Sequence, residues 1–264
     1  MEWWLGYLAI GAFAGFFAGM LGIGGGAIMV PLLVMLFEAQ DLPRNHILHL
    51  AVGTAMATIL FTSVSSVRAH AVRGAIRWDI AAKLTPGILA GGLVGSGIAS
   101  FIPTAAFAAL FTAVIYLAAT NMLLDRRPKA SRQPPGVAGM SVAGFLISAT
   151  SAFAAVGGAF MTVPFMLWCN VPMLQAIGTA AAIGFPIALS GTIGFIVTGL
   201  RETGLPAHTL GFVYLPALGG IVVASMLAAP LGAAVAHRLP TVWLRRIFAV
   251  LFYVIATRLL IRFL

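Results

Sequence analysis

Charged side chains are scarce in this sequence, and their scarcity indicates its class. Asp, Glu, Lys and Arg make up only 8% of the 264 residues, whereas hydrophobic residues make up 61%. A soluble domain carries roughly 25% charged residues. The mean hydropathy is +1.06, so the composition predicts an integral membrane protein.

Acidic groups and cysteine are rarer still. The six Asp and Glu residues fall at the ends of apolar stretches or between them, at positions 2, 38, 41, 79, 125 and 202. Acid–base catalysis and metal binding both need ionisable side chains that converge. We therefore expect no catalytic residue, no metal ion, no cofactor and no enzymatic activity. Cys169 is the only cysteine, which excludes a disulfide within the chain.

Basic residues outnumber acidic ones by 15 to 6, for a formal net charge of +9. Such an excess is also found in nucleic-acid-binding proteins. In so apolar a chain it is better explained by basic cytoplasmic loops, which orient membrane proteins. We therefore expect no nucleic acid partner.

Eight hydrophobic segments follow one another along the chain. A membrane-crossing helix needs about 20 mostly apolar residues. By that criterion the segments are residues 5–37, 47–69, 79–100, 104–124, 137–168, 173–199, 208–236 and 241–263. The sequence therefore predicts an all-α, multi-pass membrane protein.

The first and fifth segments are longer than one crossing requires, and each contains glycines followed by a proline. One such run extends from Gly24 to Pro31, and a matching run extends from Gly157 to Pro164. Glycine and proline interrupt a helix, and an interruption at membrane depth survives only where protein or a polar cavity satisfies the backbone. We predict broken or re-entrant helices in segments one and five.

A polar stretch divides the eight segments into two sets of four. We interpret residues 1–124 as a first membrane repeat, residues 125–136 as a cytoplasmic linker and residues 137–264 as a second membrane repeat. Further correspondences support the division: Gly53, Thr54, Ala55 and Ser65 match Gly178, Thr179, Ala180 and Ser190.

The distribution of basic residues bears on the orientation of the two repeats. In the first half they cluster between segments two and three, and in the second half they cluster one loop later. If basic loops are cytoplasmic, equivalent segments run in opposite directions, as in inverted repeats. Eight straight crossings are the alternative, and both arrangements place the linker in the cytoplasm.

The apolar interior contains only neutral polar groups. Backbone N–H groups at the starts of half-helices, together with hydroxyls, suit an anion. Glycine, serine and threonine are also what packed membrane helices use at their contacts. We favour a central substrate site and predict that it comprises Gly24, Gly25, Gly26, Thr54, Ser63, Ser65, Gly157, Gly158, Thr179 and Ser190.

These motifs resemble the TauE/SafE sulfite exporter family of membrane permeases. The resemblance rests on the glycine-rich run at residues 15–26, on residues 53–55 and 61–66, and on the basic turn at residues 69–78. It implies export or uptake of small anions, often sulfur oxyanions, across a bacterial inner membrane. The chain departs from the family pattern in residues 155–159, where the glycine run is less full, and at Ala55 and Ala180, where serine is common.

We therefore expect a multi-pass inner-membrane secondary transporter that moves sulfite, organosulfonates or similar anions by alternating access. An anion channel shares this architecture, and a membrane enzyme or assembly factor is a further alternative. The expected partners are the anion and the lipid bilayer. A coupled proton and a homodimer are both compatible with this function.

Overall fold

The protein is almost entirely helical. The computed structural model describes residues 3–21, 25–124, 133–236 and 241–263. The helices are α1 (Trp3–Leu21), α2 (Gly26–Ala39), α3 (Ile47–Val72), α4 (Trp78–Phe101), α5 (Thr104–Leu124), α6 (Val137–Ala154), α7 (Ala159–Trp168), α8 (Met173–Gly199), α9 (Leu215–Ala236) and α10 (Thr241–Phe263). Two short strands, β1 (Thr209–Leu210) and β2 (Val213–Tyr214), pair antiparallel before α9. The predicted all-α membrane protein is confirmed.

Two of the predicted segments are each split into two helices. Seven helices of the described chain, α1, α3, α4, α5, α6, α8 and α9, are long and apolar enough to cross a membrane. The helices α2 and α7 have only 14 and 10 residues, fewer than the roughly 20 that a crossing requires. The interruptions predicted in segments one and five are therefore present, before α2 and before α7.

The seventh helix of the prediction begins later than hydropathy indicates. We predicted a start near residue 208, but α9 begins at Leu215. Gly211 lies between β1 and β2 with a φ of 56°, a left-handed conformation that favours glycine. The apolar side chains of Phe212 and Val213 are buried in this irregular segment, which is why hydropathy alone extends the helix too far.

The first interruption reverses the chain. The Tyr7 hydroxyl, near the start of α1, donates a hydrogen bond of 2.8 Å to the Gln40 side-chain oxygen, just after α2. At the other end, Gly25 lies against Ala14 and Ala18 in the second half of α1. The two helices therefore form an antiparallel hairpin, and both ends of that hairpin lie at the same end of the bundle.

Helices from the two parts of the chain interleave. The most extensive helix contacts are those of α1 with α9 and of α4 with α6, and α3 packs against α8 between them. Glycines allow the backbones to approach closely: a Cβ on Gly15 would overlap Ser225, and a Cβ on Gly91 would overlap Phe145. Small residues at such contacts are typical of packed membrane helices. Each interrupted segment thus packs against a helix from the other half of the sequence.

Candidate functional site

Two glycines start the half-helices α2 and α7. Gly25, the N-cap of α2, has φ 70° and ψ −7°, and Gly158, the N-cap of α7, has φ 71° and ψ −12°. A left-handed conformation costs a residue with a Cβ about 1–2 kcal/mol, so both positions favour glycine. The two interruptions share one backbone geometry. The predicted site residue Gly24 lies outside the described residues.

The two interruptions meet in the buried interior. We call residues 25–27 the first tip and residues 155–160 the second tip. Gly26 is so close to the carbonyl oxygen of Ala155 that a Cβ on Gly26 would overlap that oxygen. Gly26, Ala155 and Gly158 are all buried. The structure therefore brings the predicted glycines of the first half close to those of the second half.

The tips present backbone N–H groups. The first amides with helical acceptors are those of Ile28 in α2 and Met161 in α7. The amides of residues 26–27 and 159–160 precede them, at positions where an α-helix offers no acceptor. The start of a helix also carries a partial positive charge. Both tips therefore combine donor groups with positive electrostatic potential.

The space beside the two tips differs. At the first tip, the Ile59 Cδ1 atom lies 2.8 Å from where a Cβ on Gly26 would stand. The corresponding position in α8 is Gly184. Outside its own turn of helix, the one described atom within 4 Å of a Cβ at that position would be the Gly157 oxygen, at 3.7 Å. The Ile59 side chain therefore fills the space beside the first tip, and the corresponding space beside the second tip, at Gly184, is open.

Thr54 comes five residues before Ile59 in α3, and Thr179 comes five residues before Gly184 in α8. Each threonine therefore lies about 7.5 Å along its helix from the residue beside the tip. Each hydroxyl oxygen accepts an amide hydrogen bond of 2.9 Å, Thr54 from Tyr214 and Thr179 from Arg77. Both threonines are fully buried. These hydroxyls hold the segments that lead into α9 and α4, and their role as substrate ligands stays a prediction.

The three predicted serines donate to carbonyl oxygens of their own helices. Ser63 is buried and donates to Leu60 at 3.0 Å, and Ser65, which is exposed, donates to Thr62 at 2.8 Å. Ser190 is buried and its strongest bond, at 2.9 Å, is to Pro186. Such bonds are typical of hydroxyls within helices. The part played by these serines in substrate binding stays a prediction.

One hydroxyl that the sequence analysis did not select is better placed to donate. Ser148 on α6 is fully buried, and its Oγ has no hydrogen-bond partner among the described residues. It lies next to the Ser190 hydroxyl, across from Gly92. The signal in the sequence was the pair Ser148 and Ser151, spaced one helical turn apart just before the second interruption.

Histidine, cysteine and acidic side chains form no metal-binding cluster in the parts of the chain that the structure describes. No group of three or more His, Cys, Asp or Glu side chains that could hold a metal ion occurs there. The side chains that contact Gly25, Gly26 and Gly158 are those of alanine, isoleucine and serine. The polar groups at the tips are therefore neutral.

Comparison with known proteins identifies the family. Residues 7–259 match the family model described as sulfite exporter TauE/SafE. The chain is 34% identical over 259 residues to a probable membrane transporter protein of Haemophilus influenzae, covering 97% of each chain. It is 27% identical over 238 residues to the probable membrane transporter protein YdhB of Bacillus subtilis, covering 88% of this chain and 89% of the other.

A more distant relative is a probable membrane transporter protein of Methanocaldococcus jannaschii, 24% identical over 234 residues that cover 85% of this chain and 80% of the other. No solved structure matches. Since the family match extends over nearly its whole length, the chain belongs to the sulfite exporter TauE/SafE family and is a membrane transporter.

Proposed function

We propose that the protein is a secondary transporter of small anions, in particular sulfur-containing oxyanions such as sulfite and organosulfonates, in the bacterial inner membrane. The observation that carries the proposal is the meeting of two buried half-helix starts, those of α2 and α7. Broken helices whose N-termini point at a central site bind anionic groups in secondary transporters. The family description, which names sulfite, supports the choice of oxyanion.

An anion suits the tips better than a cation does. A cation would need several carbonyl or carboxylate oxygens, and none of the described side chains that contact Gly25, Gly26 or Gly158 is a carboxylate. The amides of residues 159–160 have no acceptor within α7, and the Ser148 hydroxyl has none among the described residues. These groups can donate hydrogen bonds, which an oxyanion would accept.

Transport would proceed by alternating access between two inverted repeats, residues 1–124 and 137–264, joined by the linker 125–136. Matched contacts support this arrangement. The pairing of α1 with α9 mirrors that of α6 with α4, and the bond of Thr54 to Tyr214 mirrors that of Thr179 to Arg77. Rocking of one half against the other around the tips would expose the anion to each side in turn.

Uptake of radiolabelled sulfite into proteoliposomes tests the proposal. We expect saturable uptake that unlabelled sulfite and organosulfonates inhibit, and that matched cations do not affect. Uptake that never saturates, accompanied by a sulfite conductance in planar bilayers, would instead identify an anion channel. No sulfite flux above that of empty liposomes would overturn the proposed substrate.

A matched pair of glycine variants tests the site itself. Gly184→Ala adds one methyl group at ordinary contact distance, 3.7 Å from the Gly157 oxygen, so the protein should fold. That methyl narrows the space beside the second tip, and we expect the KM for sulfite to rise several-fold. Gly97→Ala is the control, because outside its own turn of helix no described atom lies within 4 Å of where a Cβ on Gly97 would stand. Equal KM values for the two variants would place the substrate away from the second tip.

A further inference from the structure

A cavity of about 700 Å³ opens at the end of α2 that is far from the tips. Its walls include Glu38 at the end of α2, Arg44 and Asn45 in the following loop, Thr104 at the start of α5 and Arg262 near the end of α10. Twelve residues separate Gly26 from Glu38 in the sequence, which is about 18 Å along a helix. The same half-helix thus joins the first tip to this cavity.

The charges that line the cavity are two arginines and one glutamate, an excess of one positive charge. Arg262 forms an ion pair with Glu38 through its Nη2 atom. A guanidinium group has five N–H donors, so one contact leaves most of them available. Arg44 is exposed, and no ion pair joins it to an acidic side chain in the described residues. The cavity therefore offers guanidinium donors for which the described residues provide no further acidic partner.

We propose that this cavity is an anion-binding vestibule, in which Arg44 and Arg262 hold the oxyanion before it reaches the tips. The proposal rests on the anion transport proposed above. Guanidinium groups bind oxyanions through paired N–H donors. A volume of about 700 Å³ lies within the range of small-molecule sites. The anion and the Glu38 carboxylate compete for Arg262. Glu38 therefore lowers the affinity of the vestibule for the anion.

The ion pair has a second consequence, because its two partners belong to different parts of the chain. The Glu38 side chain is 14% exposed and that of Arg262 is 45% exposed, so the pair is accessible to an ion in the cavity. An anion that draws Arg262 away from Glu38 removes this link between the end of α2 and α10. Occupation of the vestibule is thereby linked to the half-helix that forms the first tip.

The alternative explanation is that the ion pair merely fastens α2 to α10, and the two explanations differ in sign. If the pair is only a fastener, Glu38→Gln and Arg262→Gln both break it and change transport in the same direction. If the cavity binds the anion, Glu38→Gln removes a competing negative charge and lowers the KM for sulfite. Arg262→Gln removes a donor and raises that KM.

The KM for radiolabelled sulfite uptake into proteoliposomes separates these outcomes. We expect Arg44→Gln and Arg262→Gln to raise the KM roughly two- to fivefold, as for partly exposed ion pairs, and Glu38→Gln to lower it. Arg44→Gln should fold normally because its side chain is exposed. Arg201→Gln is the control, since Arg201 is an exposed basic residue that does not line the cavity.

Two failures can be told apart. If the wild-type protein shows no saturable sulfite uptake, the proposed function fails, and the vestibule proposal fails with it. If wild-type uptake saturates but Arg44→Gln and Glu38→Gln keep the wild-type KM, the vestibule proposal alone is wrong. An equal rise of the KM in Glu38→Gln and Arg262→Gln would show that the ion pair only holds α2 against α10. That result would likewise overturn the vestibule proposal.

Discussion

The first and second tips have the same backbone conformation but different surroundings. Their N-cap glycines agree within a few degrees in φ and ψ. Around the first tip stand Ala18, Met29 and Ile59, whereas the corresponding positions around the second tip carry Ser151, Thr162 and Gly184. The shared geometry provides two positively polarised helix starts, and the neighbouring side chains leave space beside the second one. We therefore expect substrate specificity to be determined mainly by the second half of the chain.

The largest expected effect comes from Gly26→Ala. Its Cβ would overlap the Ala155 carbonyl oxygen, a backbone atom, so the two tips would have to move apart. Overpacking of this kind costs about 1–3 kcal/mol. We expect a clear fall in melting temperature in detergent and loss of sulfite uptake.

Gly158→Ala is the comparison for that variant. Its Cβ would meet the Cδ1 atom of Ile187, the end of a side chain that can turn away, so the cost is mainly the left-handed backbone, about 1–2 kcal/mol. If Gly158→Ala were the more damaging of the two, the tight contact between the tips would not be what positions them.

The next effect concerns the buried threonines, which should behave alike in the two halves. Thr54→Val leaves the Tyr214 amide without its acceptor, and Thr179→Val does the same to the Arg77 amide. A buried donor without a partner costs about 1–3 kcal/mol. Thermal unfolding should show similar losses for both variants, and serine at either position should restore most of the stability.

Sulfite KM values for the same threonine variants also test the predicted ligands. A raised KM with wild-type stability would show that these threonines bind substrate. A lowered stability with an unchanged KM would show that they hold the chain instead.

A smaller effect is expected for Ser148→Ala. The Ser148 hydroxyl has no partner in the described residues, so its removal should not lower the melting temperature. If it donates to the bound anion, the KM should rise about tenfold, as for a lost hydrogen bond to a charged group. Thr150→Ala is the control, because the Thr150 hydroxyl, on the same helix, already donates to Leu146 at 2.8 Å. An equal rise of the KM in both variants would show that the Ser148 hydroxyl does not bind the anion.

The smallest effect is expected for Asp79→Asn. The Asp79 carboxylate accepts hydrogen bonds of 2.8 Å and 2.7 Å from Arg77, and the pKa of Arg77 is raised by this contact. Both side chains are about half exposed, at 41% and 51%, and such pairs contribute at most about 1 kcal/mol. The melting temperature should therefore change little, far less than in Thr179→Val. A comparable fall would show that the side chain of Arg77, not its amide, holds this segment.

The sequence was sufficient for the fold class and for the position of the interruptions. Composition predicts membrane helices, and the glycines before Pro31 and Pro164 predict where helices break, because both signals are local. The sequence could not reveal that Gly26 contacts Ala155, since that contact depends on how distant helices pack. The start of α9 was misplaced because buried apolar residues in an irregular segment have the hydropathy of a helix.

The site was predicted less completely than the fold. Gly26 does contact the segment that carries Gly157 and Gly158, and the need for glycine at the left-handed positions Gly25 and Gly158 is visible in the sequence. The amide partners of the threonines were not visible, since Tyr214 lies 160 positions from Thr54. Hydrogen bonds between distant segments leave no periodic pattern. The ion pair between Glu38 and Arg262 escaped prediction for the same reason.

The hydrogen bonds that Thr54 and Thr179 accept from distant amides also have a consequence for folding during synthesis. Thr54 is synthesised long before Tyr214, its donor, and α1 is made long before α9, along which it packs. During translation the first half therefore enters the membrane with its principal contact surface still missing. A fragment that ends after residue 124 lacks α9 and cannot complete this packing, so we expect it not to act as a functional half-transporter.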